Sequence, residues 1–189
     1  MDAHRDGPRS GSDMSCERAW SDSVRLTTKR GFYPVVGSTL PILMAVSKAM
    51  GPRRGGVAHA AFTDWEVRWT YSCKVSPAGW IVGDLAVVVD ATVTLPIWTQ
   101  PRSASADVVG AWRRYVSALE VHEEGHTRLA TLAGWAVDRS LRRLSPAPTP
   151  TQIEALAART GADVLDGFRK LERAYDQKTK HGATQGVEL

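Results

Sequence analysis

The sequence predicts an α+β domain: a small, mostly antiparallel sheet with one short helix, one long helix and a C-terminal helix. Three observations carry that prediction. One run, 57–75, alternates apolar and polar residues around Phe62, Trp65, Val67, Trp69 and Tyr71, and after the turn Ser76-Pro77-Ala78-Gly79 a second extends from Trp80 through Val87-Val88-Val89 to Leu95. From about residue 105 the apolar positions recur at helical spacing instead. After the proline-rich connector 145–150 they do so again, behind the capped start Thr149-Pro150-Thr151-Gln152.

The ends and the total charge bound the rest. At 189 residues, 43% of them hydrophobic and 23% charged, with a mean hydropathy of −0.24, the chain can fill the core of one domain, expected over 23–189. Residues 1–22, rich in Gly, Ser, Asp and Arg, are expected to form a flexible tail in which His4 is merely solvated. The net charge is +4, yet the basic residues are scattered. Their densest helical cluster, Arg139, Arg142 and Arg143, reads as a solvated face without interleaved aromatics, so no nucleic-acid partner is expected. Two cysteines, Cys16 and Cys73, cannot build a disulfide framework or a cysteine metal cluster. No apolar run reaches signal-peptide or membrane-spanning length, which predicts no membrane partner and a cytoplasmic chain, or one already shorn of its leader. The sequence leaves the oligomeric state open.

In chain order, 24–36 reads as a strand leading to Gly37. A short helix follows, with Ser38 or Thr39 as cap, Pro41 in its first turn, Ile42, Leu43, Val46 and Met50 as its apolar set, and Gly51-Pro52 as its stop. The two runs then pair as a hairpin. Asp90 interrupts the second run and Pro96 ends it, which suggests a strand at or near a sheet edge. Such an edge, ending near Thr94, could take an extended substrate by strand addition. The tryptophans are expected in the core. Ser103 or Ser105 opens the long helix, which can run to Leu144 with a bend near Gly125 or Gly134, and Gly125 is expected to let another backbone pack closely. In the last helix Ile153, Leu156, Thr160, Val164, Phe168, Leu171 and Tyr175 mark the inner stripe, with Gly182 as terminator. The short connector makes the two long helices antiparallel, returning the chain end toward the middle of the first.

The long helix contains His122-Glu123-Glu124-Gly125-His126. Histidines four apart on a helix lie one turn apart on one face and can grip one metal ion, zinc by preference. Glu123, about 100° round the helix, can stand beside the remaining position and take a proton from water. Trp112, Val116, Leu119, His122, His126, Ala130, Ala133 and Val137 share one stripe, so both imidazoles face inward. Buried without a partner they would cost several kcal/mol, in order of magnitude, and a shared metal satisfies both. His181 is the free candidate for third ligand and Asp176 its serious rival, with Glu154 and Glu172 as weaker choices. Asp138, twelve residues past His126, would lie about 18 Å away. Tyr175, next to Asp176, could donate a hydrogen bond to the oxyanion formed when a carbonyl is attacked. A third histidine or a glycine at the spacing of the longer zinc-protease signature is absent, since positions 129 and 132 are Leu129 and Leu132.

With His122-Glu123-Glu124-Gly125-His126 and Tyr175-Asp176 followed by Thr179 and His181-Gly182, the chain resembles a bacterial family described as predicted secreted zinc-dependent proteases, long carried as a domain of unknown function. The resemblance also covers Gly37-Ser38-Thr39, Gly51-Pro52, Thr63-Asp64-Trp65-Glu66-Val67-Arg68-Trp69-Thr70-Tyr71 and Thr94-Leu95-Pro96 with Trp98, and so extends from about residue 31 to the end. It implies a zincin-like fold, a Zn2+ ion on His122, His126 and His181, and a metallopeptidase acting on a peptide or protein substrate, secreted or periplasmic. Glu123 would activate the water and Tyr175 would support the oxyanion. Glu120, Glu124 and Arg128 depart from the uncharged flanks of the generic signature. The alternative of another class is a non-catalytic, metal-stabilised binding module that keeps the helix.

Overall fold

The structure, a computed structural model, describes residues 23–187. The expected tail 1–22, with His4 and Cys16, lies outside the described residues. The architecture is α+β, a small mixed sheet with three helices. In chain order it runs β1 (Val24–Val35), α1 (Leu40–Met50), β2 (Arg53–Arg54), β3 (Val57–Ala58), β4 (Phe62–Ser76), β5 (Gly79–Trp98), α2 (Ala106–Arg142) and α3 (Pro150–Thr179), and ends in a 3-10 turn at Ala183–Gln185.

The main sheet has the order β1-β5-β4. The expected hairpin is present as β4 and β5, antiparallel from Phe62 opposite Thr94 to Ser76 opposite Gly79. The sheet is nevertheless mixed rather than mostly antiparallel, because β1 lies along the other side of β5 in parallel, Val24 opposite Val87 through Val35 opposite Trp98. This makes β5 the central strand and corrects the expected edge near Thr94, which is flanked by Gly31 on one side and Phe62 on the other. Asp90 misled for a physical reason. Val87, Val89, Ala91, Val93 and Leu95 form the buried face of β5, whereas Asp90 belongs to the opposite, more open face and pairs there with Arg68. A charge on a one-sided sheet marks the face turned to water, not an edge.

Helix α2 packs on the buried face. Ser105 caps it, its side chain accepting from the Val108 amide, and Asp107 stands in the first turn where the helix dipole favours a negative charge. At 37 residues it is about 55 Å long, enough to touch two separate cores. Its first half carries Trp112, Tyr115 and Leu119 into a cluster with Val35, Leu43, Leu95 and Trp98. Its second half carries Ala130, Ala133, Val137 and Leu141 against Val67, Val87 and Val89. The His122–His126 turn falls between them. Asp138 is fully buried and held by Arg142 Nε at 3.0 and 3.1 Å, so it plays no part in the metal centre.

Thr149 caps α3, accepting from the Gln152 amide, with Pro150 in the first turn as the sequence suggested. Its inner face keeps Ile153, Val164 and Phe168 of the expected stripe but not two of the leucines. Ile153, Ala157 and Gly161 face inward, while Leu156 and Leu171 are exposed. Small residues won because the indole of Trp69 lies over the helix: a Cβ on Gly161 would come within 2.4 Å of that ring. Size complementarity therefore outweighed side-chain hydrophobicity in choosing the face.

Candidate metal centre

Helical spacing does at residues 122–126 what it promised. His122, Glu123 and His126 are all buried, and the two imidazole centroids lie 4.9 Å apart. From α3, Asp176 reaches between them: its Oδ1 is 3.3 Å from His122 Nε2 and 3.0 Å from His126 Nε2. One ligand atom from each of His122, His126 and Asp176 falls within 4.8 Å of the others. Four donors at zinc-ligand distances of about 2.0–2.1 Å from one ion have mutual separations of about 3.3 Å in a tetrahedron, so the two measured edges fit such a group. The carboxylates lining the cleft, Glu123, Glu172 and Asp176, also favour a cation on charge grounds.

The structure puts Asp176, rather than His181, in the third place. His181 is 72% exposed, and its Nδ1 lies 3.9 Å from Asp176 Oδ1 at the mouth of the cleft. The cause is the chain path after α3. Lys180, His181 and Gly182 are all left-handed, at φ of 50°, 52° and 87°, and this tight reversal leaves the His181 ring exposed beside Asp176 along the cleft. Glu154 lies at the far end of α3 and meets Cys73 Sγ at 3.8 Å.

The same reversal brings in a residue that no motif or spacing rule could find. Gln185, in the 3-10 turn, accepts through Oε1 from His122 Nδ1 at 2.9 Å, leaving Nε2 with the free lone pair. Gln185 Nε2 donates to the Tyr175 hydroxyl at 3.1 Å, and that hydroxyl donates to the His122 carbonyl at 3.1 Å, closing a ring of bonds around the imidazole. Tyr175 is stacked on His122 with centroids 5.1 Å apart and stands edge-on to His126 at 5.0 Å. Its hydroxyl is thus committed to the helix backbone and does not line the cleft, so the geometry makes it a positioning residue instead of an oxyanion donor. Tyr175 also explains Gly125. A Cβ there would stand 2.1 Å from the phenol oxygen, so a side chain, not the expected backbone, is what needs the space.

His126 is oriented from its other nitrogen by Glu172, whose Oε1 lies 3.4 Å from Nδ1 and accepts from Trp65 Nε1 at 2.5 Å. Glu172, a weaker ligand candidate by sequence, stands four residues before Asp176 on α3, a spacing that puts the two on one face. Burial alone would lower the His126 pKa, but the bonds to Asp176 and Glu172 outweigh it and push it up to about 9. For Asp176 burial acts upward, and the two imidazoles overcome it and hold the carboxyl far below its usual range. Glu123 is fixed by Thr63 of β4, whose hydroxyl donates to Oε2 at 2.6 Å. Burial raises the Glu123 carboxyl against that bond and the nearby imidazoles.

A cleft of about 820 Å³ opens over this group, walled by residues 57–63 on one side and by α3 on another. Its size is that of a ligand site. Among the described residues no helix is long and apolar enough to cross a membrane. No curated protein and no solved structure matches the chain. Over residues 31–182 it matches the bacterial proteins of unknown function grouped as DUF922, and it belongs to that family.

Proposed function

We propose that the protein is a zinc-dependent metallopeptidase of zincin-like architecture, with His122, His126 and Asp176 holding the ion and Glu123 as general base. The observation that carries this reading is the convergence of three ligand atoms within 4.8 Å at the floor of a cleft, beside a buried glutamate of the same helical turn. A zinc ion held there supplies Lewis acidity toward a water and a substrate carbonyl. Glu123 accepts the water proton as the water oxygen bonds to the carbonyl carbon. It then passes that proton to the amide nitrogen as the C–N bond breaks, so the carboxylate is regenerated. Thr63 holds the carboxylate in place for both transfers, and Gln185 and Glu172 keep the two imidazoles turned inward.

Three protein donors with a cleft above them leave a side for water and substrate, which favours hydrolysis over a closed, purely structural site. The test is Glu123→Gln, which keeps shape and removes the base. Zinc content by elemental analysis should stay unchanged while peptide hydrolysis falls by about 10²- to 10⁴-fold. Retained turnover would refute the role of Glu123, and absence of bound zinc from the parent protein would refute the centre.

A further inference from the structure

Around the acidic floor of the cleft the rim is basic. Lys48 from α1, Arg54 from β2, and Arg169, Arg173 and Lys180 from the last turns of α3 and its C-cap all line it. The carboxylates lining the same cleft are Glu123, Glu172 and Asp176, each already engaged with an imidazole, Thr63 or Trp65. A divalent cation bound among them would offset most of their charge. The field met by a ligand higher in the cleft is therefore set by the five cations, and low-dielectric walls concentrate it. Among the described residues only Arg54 of the five forms an ion pair, with Asp64 at 3.1 Å. Asp166 lies near Arg169 and Arg173 but bonds to Lys170.

The walls between these charges suit a polypeptide better than a nucleic acid. Val57, Ala58, Ala60 and Ala61 offer small apolar contacts, whereas single-stranded nucleic acid needs open aromatic faces on which bases stack. The one aromatic residue that lines the cleft besides its histidines, Phe62, has Arg54 over its ring at 5.3 Å and His59 against it at 5.5 Å. We propose that the cleft selects acidic polypeptide segments, with Arg169 and Arg173 as the specificity-determining residues. This rests on the cleft being the substrate site.

The experiment uses the zinc-loaded full chain and fluorescein-labelled peptides of equal length, identical except for Glu, Gln or Lys at repeated positions. Fluorescence anisotropy should show the Glu peptide bound at least about tenfold more tightly than the Gln peptide, with the Lys peptide weakest. The preference should shrink as salt rises. Arg169 and Arg173 are exposed, so R169E/R173E should fold by circular dichroism and lose the preference, and R169K/R173K should keep it. Equal binding of the three peptides, no binding of any, or an unchanged preference in R169E/R173E would overturn the proposal. Tighter binding of a single-stranded oligonucleotide through the same arginines would overturn it in favour of nucleic acid. Hydrolysis read on the same samples separates the two ideas: selective binding without cleavage sinks the peptidase reading alone, and cleavage indifferent to peptide charge sinks the selectivity alone.

Discussion

The two sides of the candidate metal centre are built by different means. On the α2 side His122, Glu123 and His126 come from one turn in the middle of a 37-residue helix anchored in two cores. On the other side Asp176 stands in the last turn of α3, 29% exposed, His181 lies within a left-handed reversal and Gln185 follows it. One side is rigid because the helix backbone and its packing hold it. The other joins the end of a helix to a short reversal, held by turn hydrogen bonds such as His181 N to Asp176 O and Gln185 N to Gly182 O and by Val187 in the first core, with no long element behind it. For a metal held by this group, the difference implies that the helical donors His122, His126 and Asp176 set whether it binds and that the chain after Asp176 sets how well the ligands are aimed.

Removing donors should break the comparison most sharply. Asp176→Asn should lower zinc occupancy nearly as far as His126→Ala, measured by elemental analysis after dialysis, whereas His181→Ala should retain most of the metal. If His181→Ala strips the protein and Asp176→Asn does not, the third donor has been assigned to the wrong residue. Next in size is the orientation of His122. Gln185→Ala leaves the donor atoms in place, and zinc affinity should fall by about 10- to 100-fold in a competition titration with a chelator. An unaltered affinity would show that the reversal after α3 contributes nothing to aim.

The contact between the two sides can be tested through stability. Gly125→Ala drives a methyl group into the Tyr175 ring, and denaturant unfolding should show a loss of about 1–3 kcal/mol. The same change in a Tyr175→Ala background should cost less, since the obstruction is gone, and a double-mutant cycle measures the coupling. Additive effects would mean that the two helices do not meet there. The smallest effect is expected at the entrance to the β4 wall. Thr63→Val removes one bond to Glu123 and keeps the shape, so zinc content should hold while peptide turnover drops by about one order of magnitude, in line with the roughly 1.5–3 kcal/mol of a bond to a charged group.

Much of this molecule could be read from local pattern. The β4–β5 hairpin, the caps Ser105 and Thr149, the inward pair His122 and His126, and Glu123 beside them all follow from periodicities of two and 3.6 and from turn chemistry. The parallel pairing of β1 with β5 did not, because strand direction is decided between segments some sixty residues apart and leaves no local trace. The α3 stripe is legible in part for a related reason. Counting large apolar residues finds Ile153, Val164 and Phe168 but also takes Leu156 and Leu171, which are exposed, and overlooks Ala157 and Gly161, the second of which admits Trp69.

The amino-acid order alone determined one helical turn able to bind a metal and two acceptable partners for it near the C-terminus, since residues a few positions apart have their geometry fixed by hydrogen bonding along the backbone. Only the tertiary structure showed which of those partners lies between the two imidazoles. A left-handed path through Lys180 and His181 is unusual for residues with a Cβ, so it is not written in their identity. It arises where the end of α3 meets α2, and there it leaves His181 exposed beside Asp176 and carries Gln185 to His122, while the packing of β4 on α2 separately brings Thr63 to Glu123; no spacing rule connects either pair.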